Sequence, residues 1–212
     1  MSSEALDEID RLTAYVVEDW RWVQDDMSVV VLGMILFGLG VEIGRAERIH
    51  ATEIESAVAH CLRTRFGAGS RWCSELLAEA TASATSRSHH PGHYELIETG
   101  RTYRGVIDHQ ALVDNVFANI ASCRNAAGQP EPEVPVFLAP LHMLLAGRER
   151  AKGSPLTEAE VLAIRDAAVC IRMPLSKAAK YYAELDARQP APRLRPENAW
   201  QQWQAIREQI EW

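Results

Sequence analysis

The longest apolar stretch of the chain runs from Val29 to Val41 and contains no polar side chain. A helix that spans a membrane needs about 20 apolar residues, whereas a run of about 10 to 14 is typical of a buried core helix. Asp25 and Asp26 precede the run and Glu42 follows it. We therefore predict a central helix of a globular domain, buried on all sides, against which amphipathic helices pack.

A buried strand is the alternative for this stretch. Val29, Val30 and Val31 are β-branched and favour strands. Glycine recurs at Gly33, Gly38 and Gly40, and each glycine weakens a helix by roughly 1 kcal/mol. Periodicity alone does not separate the two structures in so uniform a segment.

Amphipathic helices are predicted on both sides of the apolar run. Residues 3–24 carry one stripe at spacings of three and four: Leu6, Ile9, Leu12, Val16, Trp20 and Val23. Thr52, with Glu55 three residues on, predicts a capping box for a helix over about 53–65 that ends at Gly67. Ser70 predicts the cap of a helix over 71–84, and Asp108 that of a helix ending near Gly128.

The segment 94–107 is ambiguous between a short helix and a small hairpin that turns at Gly100. Its tyrosine, isoleucine, threonine and valine residues favour strands. We prefer the helix.

Residues 129–135 hold three prolines within six positions, Pro130, Pro132 and Pro135. The segment therefore cannot be helical, and we interpret it as an extended linker. Beyond it, Thr157 and Glu160 predict a second capping box. That helix keeps Val161, Leu162, Ile164, Ala168 and Ile171 on its inner face, and it ends before Met173 because Pro174 disfavours a helical residue before it.

Pro196 predicts the first position of a last helix. Its inner face carries Trp200, Trp203, Arg207 and Ile210, and the two tryptophans dock the helix onto the body of the protein. Together the elements predict a mainly α, bundle-like protein of seven to nine helices in two packed parts. These parts are an acidic one over 1–128 and a C-terminal module over 136–212, joined by the linker 129–135.

Charge is unevenly distributed along the chain. The net charge is −7, and residues 1–128 hold 18 acidic residues against 11 arginines, whereas the remainder holds 11 of each sign. This distribution argues against nucleic acid as a partner and favours a basic protein. No basic region followed by an apolar segment opens the chain, so we expect a cytoplasmic protein with no membrane association.

The first 26 residues concentrate this acidity. Their acidic side chains, with Trp22 as an aromatic anchor set off the apolar stripe, are the candidate partner-binding residues: Asp7, Glu8, Asp10, Asp19, Trp22, Asp25 and Asp26. A solvated helix face and ordinary packing of Trp22 are the alternatives.

No catalytic signature, cofactor motif or metal site is predicted. Gly38 and Gly40 lack the third small residue of a dinucleotide-binding turn, and the four cysteines show no CxxC spacing. His89, His90 and His93 in a polar loop, with Glu95, suggest a hydrolase as a less favoured alternative. A helical regulatory or adaptor protein is another.

The last quarter of the chain contains two distinctive runs, LTEAEVLAIRDAAVCIRM beginning at Leu156 and PENAWQQW beginning at Pro196. From Thr157 to Trp212 the sequence resembles the C-terminal module of immunity proteins of bacterial type VI secretion and related polymorphic-toxin systems. The resemblance implies a protein, without cofactor or enzymatic activity, that binds and neutralises a cognate toxin. A toxin acting in the cytoplasm, such as a nuclease, is the expected partner in this form of bacterial antagonism.

Overall fold

The computed structural model of the protein describes residues 3–187 and 193–208. The chain divides into two compact units, Met1–Pro130 (unit 1) and Glu131–Trp212 (unit 2). Unit 1 contains six helices: α1 (Ser3–Glu18), α2 (Asp26–Glu47), α3 (Ala51–Phe66), α4 (Ser70–Thr85), α5 (Pro91–Arg101) and α6 (His109–Ala126). The protein is mainly α, as predicted.

The apolar run lies within α2, which is the central helix of unit 1. All ten positions from 31 to 40 are buried. Among the residues that the structure describes, α2 is the one helix long and apolar enough to cross a membrane, and 78% of its most apolar window is buried inside the protein. The prediction of a buried helix is confirmed, and the strand alternative is wrong.

The five other helices of unit 1 all pack against α2. From α1, Ile9, Leu12 and Val16 point into this core, as the predicted stripe requires. Helix α5 has the most extensive contact with α2, and Ile97 is one of its fully buried residues. The core of unit 1 is therefore organised around α2 as a hub.

Two predicted helix starts are wrong in detail. Helix α3 begins at Ala51 after His50, which makes no side-chain capping bond, so Thr52 is not the cap. Glu55 instead accepts a hydrogen bond of 3.2 Å from Thr81 of α4. Helix α4 begins at Ser70 itself, and Gly69 precedes it as the cap.

Other predicted helix boundaries are confirmed. Gly67 ends α3 in the left-handed conformation, which glycine adopts without steric cost. Asp108 caps α6 by accepting a hydrogen bond of 3.0 Å from the Ala111 amide. Thr157 and Glu160 form the predicted capping box. Each of these ends depends on neighbouring residues only, whereas at Thr52 the expected capping partner Glu55 is bound by Thr81 of another helix.

Unit 2 consists of β1 (Glu133–Phe137), α7 (Leu141–Lys152), α8 (Glu158–Ala167), β2 (Cys170–Pro174), α9 (Leu175–Asp186), a 3-10 turn (Pro196–Asn198) and α10 (Ala199–Ile206). The strands pair antiparallel, with Glu133 opposite Pro174 and Phe137 opposite Cys170. In the core of unit 2, Trp203 is fully buried, and its indole N–H donates to Glu149 at 3.3 Å. Ile210, predicted on the inner face of the last helix, lies outside the described residues.

The two-stranded sheet corrects two predictions. Glu133 to Pro135, expected in the linker 129–135, belong to β1, and Cys170 to Arg172, expected at the end of a helix, belong to β2. Helix α8 ends at Ala167, so Ala168 and Ile171 are not on its inner face. Strand pairing over a separation of more than 30 residues overrides the local pattern, and proline is tolerated in such a two-stranded edge.

The segment 94–107 is not a hairpin. Helix α5 covers its first half, and a turn follows to Asp108, so the preferred helical interpretation is confirmed. The residues that the structure describes form ten α-helices, one more than the upper end of the predicted range.

Candidate functional site

The predicted acidic partner-binding residues do not form one unpaired acidic surface. Asp10 is bound in bidentate fashion by Arg65 of α3, at 2.9 and 2.6 Å. That hydrogen bond holds the pKa of Asp10 below its usual value. Asp19 is bound by Arg21 at 2.8 Å, and the same guanidinium reaches Asp114 of α6 at 2.8 Å. These acids are largely neutralised within unit 1.

Asp25 has a structural role at the start of α2. Its carboxylate accepts a hydrogen bond of 2.9 Å from the Ser28 amide, which is the N-cap interaction. It also accepts a short charge-assisted bond from Arg124 of α6, whose side chain is 9% exposed and also donates to Ser28 Oγ at 3.0 Å. Burial opposes ionisation of Asp25, but the bonds from Arg124 and Ser28 outweigh it, and the net pKa is lowered.

Trp22 is not available as a surface anchor, because it is only 6% exposed. Helix α1 ends at Glu18, six residues before the predicted end, so Trp20 and Val23 of the predicted stripe lie beyond the helix, as does Trp22. The side chain of Asp19 accepts a bond of 2.9 Å from the Arg21 amide, a local turn that competes with helix. The chain then turns inward, and the Trp22 ring packs on Phe66 with centroids 5.6 Å apart.

The remaining predicted residues are scattered. Asp7 and Asp26 are exposed, and Glu8 is half-buried with Arg11 at 4.0 Å. Asp26 lies at the first turn of α2, where a carboxylate suits the positive end of the helix dipole.

The histidine loop is organised by a glutamate from α4 that sequence reasoning did not include. Glu79 bonds His89 Nε2 at 3.0 Å through one oxygen and His93 Nδ1 at 3.1 Å through the other. His90 stacks on His93 and accepts the His93 amide hydrogen bond, which caps α5. Within the described part of the chain, no group of three or more His, Cys, Asp or Glu side chains is arranged to hold a metal ion. The loop thus links the end of α4 to the start of α5.

Replacing Glu79 by glutamine is expected to lower the melting temperature at pH 6. The bond from His89, with that from His93, lowers the pKa of Glu79 to about 2 from an ordinary value of 4.5. Because the folded pKa is the lower one, this stabilisation is fully present above pH 4.5 and is lost as the pH falls towards 2. Thermal unfolding followed by circular dichroism checks this.

Glu75→Gln is the control, since Glu75 lies on the same helix in an exposed pair with Arg71 and such pairs contribute little. A constant difference in melting temperature between wild type and Glu79→Gln, from pH 6 down to about pH 2.5, would contradict the role of the Glu79 charge.

A concave site lies where the C-terminal part of α2 meets the start of α3 and the end of α5. Its volume is about 770 Å³. We call it the α2–α5 cleft, and it is lined by Phe37, Val41, Glu42, Gly44, Arg45, Ile49, Ala51, Ile54, Glu98, Arg101 and Thr102. Phe37 and Ile54 are core residues, 5% and 3% exposed, that form an apolar floor. Charged residues from α2 and α5 stand around this floor.

The same four-residue pattern supplies the charges from both helices. Glu42-Ile43-Gly44-Arg45 lies in the last turns of α2, and Glu98-Thr99-Gly100-Arg101 closes α5. In a helix, residues three apart share a face, so each pattern pairs its glutamate with its arginine. The repeated E-x-G-R pattern is the signal in the sequence that could have predicted this site.

The two glutamate–arginine pairs differ in how completely their polar atoms are hydrogen-bonded. Arg45 binds Glu42 in bidentate fashion at 3.1 and 2.6 Å, and this bond lowers the pKa of Glu42, with smaller contributions from the charges of Arg104 and Arg101. Arg101 Nη1 lies 3.0 Å from Glu98 Oε1, but the geometry does not make a hydrogen bond. Glu98 Oε1 and Arg101 Nε are both buried and have no hydrogen-bond partner.

Backbone contacts through two glycines fix this arrangement. A Cβ on Gly100 would lie 2.0 Å from the Ile35 carbonyl oxygen of α2, and a Cβ on Gly38 would lie 2.0 Å from the Ile97 carbonyl oxygen of α5. The two helices therefore touch backbone to backbone, which only glycine permits. Gly100 sits between Glu98 and Arg101, so the contact also sets where their side chains project.

Unit 2 has a separate apolar groove of about 640 Å³ between the end of β1, α7 and α8. Leu138 and Val169 at its edge are 52% and 67% exposed, and Arg148 is the one charged residue of its lining. This groove can bury apolar surface, but its lining offers few polar groups to orient a ligand.

No model of a known protein family, no curated protein and no solved structure matches the chain.

Proposed function

We propose that this protein is an immunity protein of a bacterial toxin system, which binds a co-produced effector in the cytoplasm and blocks its activity. The observation that carries the proposal is the α2–α5 cleft, a concave surface with an apolar floor that is bordered by the ion pairs Glu42–Arg45 and Glu98–Arg101. An apolar centre surrounded by polar groups is typical of the surfaces that dominate protein–protein affinity. The resemblance of the last quarter of the chain to immunity proteins supports the same class.

The chemistry of the cleft favours binding over catalysis. Its lining contains no histidine, cysteine, serine or lysine, which are common nucleophiles and bases. Both carboxylates lie beside arginines. Arg45 lowers the pKa of Glu42, whereas a general acid at neutral pH requires a raised one.

The charge of unit 1 supports a basic partner, and a nuclease is the effector class we propose. The residues through Gly128 hold seven more acidic than basic side chains, and an overall negative field accelerates association with a basic protein. Asp10, Asp19 and Asp25 are paired with arginines inside unit 1, so the field comes from the acidic residues in excess of the arginines.

The test is protection of bacteria that express the effector encoded beside this gene. We expect growth to be restored in proportion to the amount of immunity protein, reaching full protection near one copy per effector, because a binder acts stoichiometrically. An unrelated effector of the same enzymatic class is the control and should remain toxic. Protection at a small fraction of one copy per effector would indicate an enzyme, and absence of protection would refute the immunity function.

A further inference from the structure

The two strands of unit 2 pair only with each other among the residues that the structure describes, so each has one free edge. In an antiparallel pair, the backbone N–H and C=O groups of successive residues point alternately towards the partner strand and away from it. The Leu138 amide donates to the Val169 carbonyl at 3.1 Å, which places these two residues in a hydrogen-bonded pair. With the register of the sheet, the backbone groups of Cys170 and Arg172 therefore point away from β1.

The outer edge of β1 is protected against further pairing, and that of β2 is not. Native edge strands carry proline or charged side chains that discourage the addition of another strand. On β1, the residue opposite Arg172 is Pro135, which has no N–H to donate. On β2, the one charged side chain, that of Arg172, turns back over β1, where Nη2 donates to the Glu133 carbonyl at 2.9 Å. The backbone donors and acceptors of β2 are thus open to another strand.

An exposed apolar face adjoins this open edge. Alternate residues of a strand lie on one face, and Val169 and Ile171 are 67% and 43% exposed. Met173, next on the same face, is half-buried. Exposed apolar residues that lie together mark an interaction surface, and a free strand edge beside them fits a partner in the form of an extended strand.

β2 itself has the properties that such a partner strand requires. Antiparallel pairing of two β2 strands about a two-fold axis at Ile171 would place Cys170 opposite Arg172 of the second copy. These residues would exchange both backbone hydrogen bonds. On the apolar face, Ile171 would lie opposite the same residue of the second copy and Val169 opposite Met173, so apolar side chains meet across the axis. A two-fold contact is closed, so association stops at two chains.

The neighbouring registers are less favourable. An axis at Arg172 would place two arginines directly opposite each other, which destabilises a strand pair. An axis at Cys170 would place Arg172 opposite Ala168, whose amide already donates to the Arg165 carbonyl at the end of α8. The axis at Ile171 is the register that uses all the open backbone groups of Cys170 and Arg172.

We infer that two copies of this protein associate through their β2 strands, which pair antiparallel about a two-fold axis at Ile171 and join the two sheets into one. The interface lies wholly in unit 2, whereas the α2–α5 cleft lies in unit 1. The inference is therefore independent of the immunity function.

The first experiment measures the mass of the whole protein by sedimentation equilibrium at micromolar concentrations. We expect twice the mass of one chain for the wild type. Arg172→Pro should weaken association about tenfold or more, because it removes an inter-strand donor from each copy. Within the chain this N–H does not bond to β1, so proline is tolerated there, and circular dichroism checks the fold. Arg172→Ala is the matched control, since it removes the same side chain but keeps the N–H, and it should remain dimeric.

The second experiment tests the register by disulfide cross-linking. The Cα atoms of a central pair without hydrogen bonds are about 4.5 Å apart, within the range of about 4.4 to 6.8 Å that a disulfide spans. Ile171→Cys, made together with Cys170→Ser, should therefore give a covalent dimer on mild oxidation. Met143→Cys in the same background is the control, because Met143 is exposed on α7 outside the sheet, and it should stay uncross-linked. The three other cysteines are buried or half-buried.

Two outcomes would overturn the inference. A dimer that Arg172→Pro leaves intact and Ile171→Cys does not cross-link would use another surface. A wild-type protein that stays a single chain at every concentration would exclude the second copy, and shifts of the β2 amides of the ¹⁵N-labelled chain on addition of the effector would then assign the edge to a strand of the effector.

Discussion

Gly38→Ala is expected to lower the free energy of unfolding of unit 1 by about 3 kcal/mol or more. The new Cβ would lie 2.0 Å from the Ile97 carbonyl oxygen, which is backbone and cannot rotate away. To relieve this clash, α5 must move away from α2, and that movement opens the most extensive helix–helix contact of unit 1. Urea unfolding followed by circular dichroism measures the change.

Gly33→Ala is the matched control on the same helix. Its Cβ would lie 2.8 Å from Leu76 Cδ2, the far end of a flexible side chain. Because that leucine can change its rotamer, and alanine is favoured over glycine within a helix by about 1 kcal/mol, we expect a far smaller loss than at Gly38. Equal losses at the two positions would contradict the backbone contact between α2 and α5.

The second large effect is expected at Asp25. Replacing it by alanine should lower the free energy of unfolding of unit 1 by about 2 to 4 kcal/mol. Loss of the N-cap of α2 contributes about 1 kcal/mol, and the remainder comes from leaving the guanidinium of Arg124 buried without its charged partner. Chemical denaturation of the variant measures the sum.

Asp25→Asn separates the two contributions, because asparagine caps a helix as well as aspartate does but carries no charge. We expect it to retain the capping part and lose the charged part. If Asp25→Asn and Asp25→Ala are equally destabilised, the cap contributes nothing; if Asp25→Asn matches wild type, the pair with Arg124 contributes nothing.

These two positions also show which features local sequence patterns predict and which they do not. The apolar run predicts the buried helix α2, and capping residues such as Asp108 and Thr157 predict helix ends, because each depends on nearby residues. From the sequence alone, the glycines of α2 argue against a helix. Their role in allowing close contact between helices becomes visible only in the fold, where the Ile97 carbonyl oxygen of α5 lies against Gly38. A tertiary contact outweighs helix propensity here.

The same limit explains the strands and the candidate site. Pairing of β1 with β2 joins segments on either side of α7 and α8, which periodicity along the chain does not reveal. The acidic residues near the start predict charge but not its compensation by Arg65 and Arg124 from distant helices. Only the repeated E-x-G-R pattern points to the cleft, and its two copies begin 56 positions apart in the sequence, at Glu42 and Glu98.

Titration calorimetry of the purified protein with the effector encoded beside it is the direct test of the immunity function. We predict saturable binding of one copy per effector, with a nanomolar or lower Kd that is typical of tight protein–inhibitor complexes, and a rate of association that falls as salt increases. No heat of binding and no complex at micromolar concentrations of both folded proteins would contradict it.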